Sequence, residues 1–146
     1  MKATAPHGEP LVQLDPSAFV ADPELIQALD ARAAPVPCES DHVLFRQGDP
    51  SVGLYILHEG AATVSMISPD GQSLFAVQAL SGSLLGLPGL VSGQPYSLSA
   101  TAGRGSRVSF VSRDEFIALM QADPHLSLKI LQVLAAEVRS ARKALY

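Results

Sequence analysis

The chain has 146 residues, of which 47% are hydrophobic and only 16% are charged. An average globular domain has roughly 25% charged residues, so this composition excludes a disordered chain and fits one folded domain. The net charge of −4 has the wrong sign for a domain that neutralises phosphates, so we expect no direct nucleic-acid partner. No apolar run approaches the ~18 residues that a membrane span needs, and the N-terminus does not have the pattern of a signal peptide. A single cysteine excludes a disulfide framework. These features predict a cytoplasmic protein without a membrane association.

The N-terminal part predicts a loose arm followed by short helices. Residues 1–14 are rich in Ala, Pro and Gly without periodicity, which predicts a flexible arm ahead of a folded domain over 15–146. Asp15 and Asp22 each precede a proline, the usual order of a capping side chain and a first helical residue. A short helix is predicted after each of them, the second over 23–32.

The central part has the pattern of a β-sandwich or barrel. Short β-branched or aromatic segments are separated by Gly, Pro, Asp and Ser clusters at roughly eight- to twelve-residue spacing. The predicted strands are 36–38, 43–46, 53–59, 61–68, 73–80, 97–102 and 106–112. Asp70 and Gly71 predict a hairpin turn between the fourth and fifth strands. The residues expected to supply much of the interior of the roll are Phe45, Leu54, Ile56, Val64, Phe75 and Val77.

The C-terminal part predicts two helices. Ser112 and Glu115 form the S-x-x-E pattern of a capping box, and Asp123-Pro124 predicts the start of a second helix that continues towards Tyr146. Apolar residues recur in this last helix at steps of three and four: Leu131, Leu134, Val138, Ala141 and Leu145. Because a single exposed helix rarely carries so much apolar surface, we predict a homodimer through this stripe.

Three segments carry a resemblance to a known family. Residues 43–49 (V-L-F-R-Q-G-D) and 54–60 (L-Y-I-L-H-E-G) have the spacing of the x-x-G-D turn and the L-Y-x-x-x-x-G strand of cyclic-nucleotide-binding domains. Residues 80–86 mirror the glycine-bounded entry to that family's phosphate-binding cassette. From Phe19 to Tyr146 the chain therefore resembles the sensor part of Crp/Fnr (catabolite activator) regulators. The resemblance implies a mainly β fold with flanking helices: a β-roll (double-stranded β-helix, or jelly roll) with a long C-terminal helix.

The cassette departs from the family at the positions that would hold a nucleotide. In nucleotide-binding members a Gly-Glu pair opens a short helix, the Glu holds the ribose, and an Arg neutralises the cyclic phosphate. Here the pair is Gly86-Leu87, Tyr96 stands where the Arg is expected, and Pro88 removes one backbone N–H from the first turn. Losing both contacts lowers affinity by roughly a hundred- to a thousandfold, so the sequence predicts no tight binding of cyclic AMP or cyclic GMP.

The resemblance nevertheless defines a candidate ligand pocket. Its residues come from the cassette and from the last helix: Leu85, Gly86, Leu87, Pro88, Gly89, Tyr96, Ser97 and Arg142. Two interpretations stay open at this point. The domain is either a sensor of a small-molecule effector or a ligand-free structural or interaction domain whose pocket is filled by Leu87 and Tyr96.

Other chemistry has little support in the sequence. The four histidines, His7, His42, His58 and His125, are too scattered for a metal-ligand motif, so no metal or cofactor is predicted. A haem sensor that uses His58 or Cys38 is a weaker alternative, and a cupin-type metalloenzyme is weaker still. No catalytic motif appears, which predicts a non-enzymatic regulatory module. Within residues 15–146 we expect no helix-turn-helix domain of the kind found in transcription-factor relatives.

Overall fold

The structure is a computed structural model that describes residues 13–144. In chain order the elements are a 3-10 helix (Pro16–Phe19), α1 (Pro23–Asp30), β1 (Ala34–Val36), β2 (His42–Phe45), β3 (Gly53–Glu59), β4 (Ala62–Ile67), β5 (Ser73–Ala79), β6 (Ser83–Leu85), α2 (Leu87–Ser92), β7 (Ser99–Ala102), β8 (Arg107–Ser112), α3 (Arg113–Ala122) and α4 (Pro124–Ala144). The strands form two four-stranded antiparallel sheets, one in the order β1-β8-β3-β6 and the other in the order β2-β7-β4-β5. This arrangement confirms the predicted β-roll with its long C-terminal helix.

The helix starts follow from the capping residues in the sequence. The carboxylates of Asp15 and Asp22 and the hydroxyl of Ser112 each accept a hydrogen bond from a backbone N–H in the first turn that follows, at 2.9, 2.8 and 3.2 Å. Each bond satisfies one of the N–H groups that a helix start leaves without a partner. Three of the four predicted helix starts are thereby confirmed, and α4 begins at Pro124 as predicted for the fourth.

Periodicity indicated neither β6 nor α2, which lie next to each other at residues 83–92, and only the family resemblance implied the short helix after Gly86. The apolar run there is too short, and too interrupted by Gly and Pro, to show either strand or helix periodicity. β6 forms because it pairs with β3, and in that pairing Ile56 lies opposite Leu84. The first strand also lies earlier than predicted, at Ala34–Val36.

β3 has an apolar side chain on both of its faces. Leu57 belongs to a core cluster between the two sheets, together with Phe45, Val64 and Phe75. Leu54 and Ile56 belong instead to a second cluster between the sheet and the helices. The prediction that Leu54 and Ile56 lie in the interior is confirmed, since both are fully buried, and strand alternation turns them towards the helices. Val77, also predicted there, is only partly buried against the first cluster.

α4 packs on the rest of the chain through one stripe of residues. The residues on this stripe recur at steps of four and three: Leu126, Ile130, Val133, Glu137, Ser140 and Ala144. Lys129 pairs with Asp22 at 3.0 Å, and the Ser140 hydroxyl accepts a hydrogen bond from the Asp15 backbone at 2.9 Å. α4 is thus attached near both of its ends to the segment that precedes β1. Within residues 13–144, no helix is long and apolar enough to cross a membrane.

The predicted dimer stripe lies beside this packing face. Leu131, Val138 and Ala141 are exposed, with Leu131 at 58% and Val138 at 47%. Leu134 is half-buried and packs against the chain's own second core cluster. Leu145, like the residues 1–12 of the predicted arm, lies outside the described residues. Leu14, the last residue assigned to that arm, packs against the first core cluster.

Candidate functional site

The cassette, defined here as residues 84–97, begins where β6 ends. Gly86 adopts a φ of 89°, a left-handed conformation in which an L side chain is strained, and it turns the chain directly into α2. A Cβ at Gly86 would lie 2.8 Å from a ring carbon of Tyr96, so the aromatic ring covers this glycine. The turn that would face a cyclic phosphate is therefore in contact with a side chain of the protein itself.

Tyr96 is held by its backbone, its ring and its hydroxyl. Its N–H donates to the Asp49 carbonyl at 2.9 Å, and its carbonyl accepts from the Gly48 N–H at 2.8 Å. The ring stacks on Phe45 with the centroids 4.1 Å apart and the planes inclined by 19°. Residue 96 is thereby fixed to the x-x-G-D turn that the sequence analysis singled out.

The Tyr96 hydroxyl uses its full hydrogen-bonding capacity inside the protein. It donates to the Gly53 carbonyl at 2.7 Å and accepts from the Val52 and Gly53 N–H groups at 3.2 and 3.3 Å. A phenol hydroxyl has one proton and two lone pairs, and all three are engaged. Because Tyr96 is only 4% exposed, it has nothing left to offer a ligand.

Leu87 points away from the interior between the sheets. It is fully buried in the second core cluster, alongside Leu84 and Leu90. The strand alternation of β6 sends Leu84 to the helices and Leu85 to the sheet interior, and the three-residue step on α2 places Leu87 and Leu90 on the same side. Leu87 thus stabilises the packing of the helices and does not fill a ligand pocket as the sequence analysis allowed.

The remaining predicted pocket residues do not form one site. Leu85 shares the first core cluster with Tyr96, and Gly89 is buried against Ser51 and the backbone after α2. Pro88 is half-buried in the first turn of α2, while Arg142 is exposed on α4. Ser97 is exposed and lines a different space, described next. Leu85, Gly86 and Tyr96 come together, whereas Leu87, Ser97 and Arg142 do not join them.

A cavity of about 350 Å³ lies between α4, the 3-10 helix, the β4–β5 hairpin and the segment that leads into β7. We call it the α4 cavity. Its lining is almost entirely apolar: Leu14, Ala18, Phe19, Met66, Leu74, Phe75, Ser97, Leu98, Glu137, Val138, Ser140 and Ala141. A second, more polar groove of about 410 Å³ adjoins it, shares Ala18 and Ser140 with it and is flanked by Asp15, Arg139 and Lys143.

Glu137 is the chemically unusual residue of the α4 cavity. Its Oε2 atom is buried without a hydrogen-bond partner among the described residues. Burial in these apolar surroundings raises the pKa of the carboxyl to about 8, so the acid is mostly protonated at neutral pH. Glu137 was not among the predicted site residues, because the apolar periodicity of α4 favoured the neighbouring stripe through Leu131. The signal was a carboxyl at a core-facing step, four residues after Val133 and three before Ser140.

His58 and Cys38 have structural surroundings. The Nε2 atom of His58 lies 3.0 Å from the Asp30 carboxylate and 2.9 Å from the Ser109 hydroxyl, so it links α1 to two strands. Cys38 is buried in the first core cluster, and burial raises the pKa of its thiol. No group of three or more His, Cys, Asp or Glu residues in the described part of the chain is placed to hold a metal ion.

The comparisons with known proteins identify the family. A family model described as the cyclic nucleotide-binding domain matches residues 35–123. The chain belongs to the cyclic nucleotide-binding domain family, as the resemblance in the sequence predicted. Among curated proteins it is 27% identical over 118 residues to a CRP-like cAMP-activated global transcriptional regulator of Mycobacterium tuberculosis. That alignment covers 81% of this chain but 53% of the relative, so the chain spans about half of the relative's length.

Solved structures support the fold. The catabolite activator protein of Thermus thermophilus superposes with a TM-score of 0.74 at 22% identity, over 90% of this chain and 62% of that one. The N-terminal domain of a transcriptional regulator from Streptomyces coelicolor A3(2) superposes with a TM-score of 0.63 at 23% identity, over 89% of this chain and 93% of that one. At these identities the likeness concerns the β-roll and its C-terminal helix.

Proposed function

We propose that this chain is a non-enzymatic regulatory sensor module whose effector is not a cyclic nucleotide. The observation that carries the proposal is Tyr96, which stands where the resemblance places the phosphate-binding Arg. Its ring covers Gly86, and its hydroxyl is saturated by three backbone bonds. A cyclic phosphate would have to displace this ring and would meet no cation in its place.

A sensor is better supported than a ligand-free scaffold. A domain that serves only as a scaffold gains stability from a fully packed interior. Here the α4 cavity remains open and contains a carboxyl oxygen without a partner, at a point where a scaffold would be more stable with an apolar side chain. In line with the regulators it resembles, we place its action in the cytoplasm and assign it no reaction of its own.

Calorimetric titration with cyclic AMP and cyclic GMP tests the proposal. We expect dissociation constants weaker than ~100 μM for both nucleotides. 5′-AMP serves as the matched control, because it separates recognition of a cyclic phosphate from weak binding of any adenine nucleotide. A low-micromolar dissociation constant for either cyclic nucleotide, with none for 5′-AMP, would contradict the proposal.

We also propose that the module forms a homodimer through α4. Leu128, Leu131 and Val138 are 54%, 58% and 47% exposed, and with Ala135 they follow steps of three, four and three along one side of the helix. This spacing is that of a two-helix seam, in which each helix covers the apolar stripe of its two-fold mate. The seam contains Leu131 and Val138 of the predicted stripe, while Leu134 belongs to the chain's own core.

Sedimentation of two variants tests the dimer. Leu131→Glu places a charge in the seam and should give a folded monomer, whereas Ile117→Glu, a similar change at a 37% exposed site on α3, should leave the dimer intact. A monomeric unmodified protein at ~100 μM would remove the dimer from the account. Dissociation of both variants would show that the seam is placed incorrectly.

A further inference from the structure

The α4 cavity has the size and lining of a small-molecule site. Its volume of about 350 Å³ falls within the range of roughly 300–1,000 Å³ that such sites usually have. Its walls are side chains such as Phe19, Met66 and Phe75, which offer contact to a hydrocarbon and no hydrogen bonds. An apolar body is therefore the part of a ligand that these walls would stabilise.

One titratable side chain in the lining indicates which polar group a suitable ligand would carry. Glu137 is the one ionisable side chain among the described residues that line the cavity, and the other polar side chains in the lining are the hydroxyls of Ser97 and Ser140. Ser140 already accepts a hydrogen bond from the Asp15 backbone. The cations Arg139 and Lys143 flank the adjoining groove and not the cavity.

The unpartnered Oε2 atom of Glu137 is the second observation that points to a ligand. A buried carboxyl oxygen without a hydrogen bond is costly, and the cost is removed when a donor enters the cavity. An ammonium group meets the need best, because it donates and also compensates the charge when the acid loses its proton. An anionic head group brings no positive charge to compensate the carboxylate when the acid loses its proton, so phosphates and fatty acids suit this position less well than an amine.

We infer that the α4 cavity binds an apolar molecule that carries one amine group, with the ammonium paired to the carboxylate of Glu137. This inference rests on the proposed function, since it gives the chemical class of the effector of the sensor. The ligand would contact α4 between Glu137 and Ala141, next to the exposed Val138 of the proposed seam. Occupancy would thus act directly on the helix that we expect to form the dimer.

Calorimetry with three head groups on one chain length tests the inference. The probes are n-octylamine, 1-octanol and sodium octanoate, added to the full chain at pH 7. We expect the amine to bind roughly tenfold or more tightly than the alcohol, as a charge-assisted hydrogen bond provides, and the carboxylate to bind most weakly. Equal affinities for the amine and the alcohol, or no saturable binding of the amine, would overturn the inference.

Proton release gives a second readout that a general affinity for hydrocarbons would not produce. Because the pKa of Glu137 is raised to about 8, the acid is protonated at pH 7 before binding and must lose its proton to pair with an ammonium. Titrations in buffers with different ionisation enthalpies should reveal the release of about one proton per amine bound. No release, together with tight binding, would show that the amine does not pair with Glu137.

Two variants assign the effect to this carboxyl. Glu137→Gln should lower the affinity for the amine to that for the alcohol and abolish proton release, whereas Glu39→Gln, which removes a charge at an exposed site, should change neither. Glu137→Leu is the substitute if the glutamine variant folds poorly, since an apolar side chain suits this site. Unchanged amine binding in both Glu137 variants would overturn the inference. The cyclic-nucleotide titrations are independent of these results and test the proposed function alone.

Discussion

The cassette and the α4 cavity differ in whether a buried polar group has hydrogen-bond partners. In the cassette the Tyr96 hydroxyl makes three hydrogen bonds to the backbone of residues 52 and 53, and its ring covers Gly86. Beside the α4 cavity the buried Oε2 atom of Glu137 makes none with the described residues. The first arrangement completes a core, whereas the second leaves a polar atom without a partner, and this difference is the reason that we propose a ligand site beside α4.

The difference has a simple origin in side-chain chemistry. The ring of Tyr96 is large and apolar and packs on Phe45, while its hydroxyl reaches backbone groups. One residue therefore fills the space and also provides hydrogen bonds to the backbone around it. On α4 the core-facing stripe is apolar at Ile130 and Val133, then carries a carboxyl at Glu137 and a small hydroxyl at Ser140. Residues of this kind leave volume unfilled and polar atoms unpaired.

Removing the Tyr96 side chain should cause the largest loss of stability and would open the cassette. We expect Tyr96→Ala to lower the free energy of unfolding by ~3–5 kcal/mol, because it removes the ring and leaves three backbone groups with fewer partners. Tyr96→Phe keeps the ring and should cost less, ~1–3 kcal/mol. Urea melts of both variants measure these losses, and a loss below ~1 kcal/mol for Tyr96→Ala would show that the cassette is not closed by this residue.

A pair of leucine truncations compares the two regions directly. Leu87→Ala in the cassette should cost ~2–5 kcal/mol, since Leu87 is fully buried among the helices. Leu98→Ala at the edge of the α4 cavity should cost less than ~1.5 kcal/mol, because Leu98 is only half-buried and already faces open space. Equal losses in urea melts would contradict the distinction between a closed and an open region.

The pH dependence of stability should show a slope of up to ~1.4 kcal/mol for each pH unit. Burial raises the pKa of Glu137 to about 8 in the folded protein, compared with 4.5 for an ordinary glutamate, so folding favours the protonated acid. The contribution to stability is complete below about pH 4.5 and is lost as the pH rises towards about 8. Hydrogen bonds lower the pKa of Asp15, Asp22 and Asp70, so these groups act at lower pH.

Urea melts at a series of pH values from about 5 to 9 measure this slope. Glu137→Gln should remove the slope because the amide does not ionise, while Glu39→Gln should retain it. A flat profile for the unmodified protein would mean that Glu137 is solvated and not buried in an apolar cavity. The same result would weaken the contrast between the cavity and the cassette.

Local rules in the sequence were sufficient for most of the fold. The caps at Asp22 and Ser112 and the turn at Gly71 depend on residues close together in the chain, so the pattern predicted them correctly. β6 depends on pairing with β3, a strand more than twenty residues earlier, so the local sequence pattern does not predict it. The same holds for Leu87, whose side of α2 is decided by how α2 packs on the helices.

The site was harder to predict than the fold. The resemblance indicated Tyr96 correctly as the residue in the place of the Arg, but its three backbone partners come from residues 52 and 53, over forty positions away. On α4 two apolar stripes lie side by side, and periodicity alone cannot say which one faces the protein. The prediction used the stripe through Leu131, which is exposed. Glu137 belongs to the other stripe, which packs on the rest of the chain.

A titration followed by nuclear magnetic resonance tests most directly the claim that the cassette is closed to cyclic nucleotides. The backbone N–H signals of Gly86, Gly89 and Gly93 report on the cassette, and those of Ser97, Glu137 and Val138 report on the α4 cavity. With ~1 mM cyclic AMP we expect no saturating shift of the three glycine signals, whereas n-octylamine should shift the signals of the cavity residues alone. Saturating shifts of Gly86 and Gly89 with cyclic AMP would contradict the account.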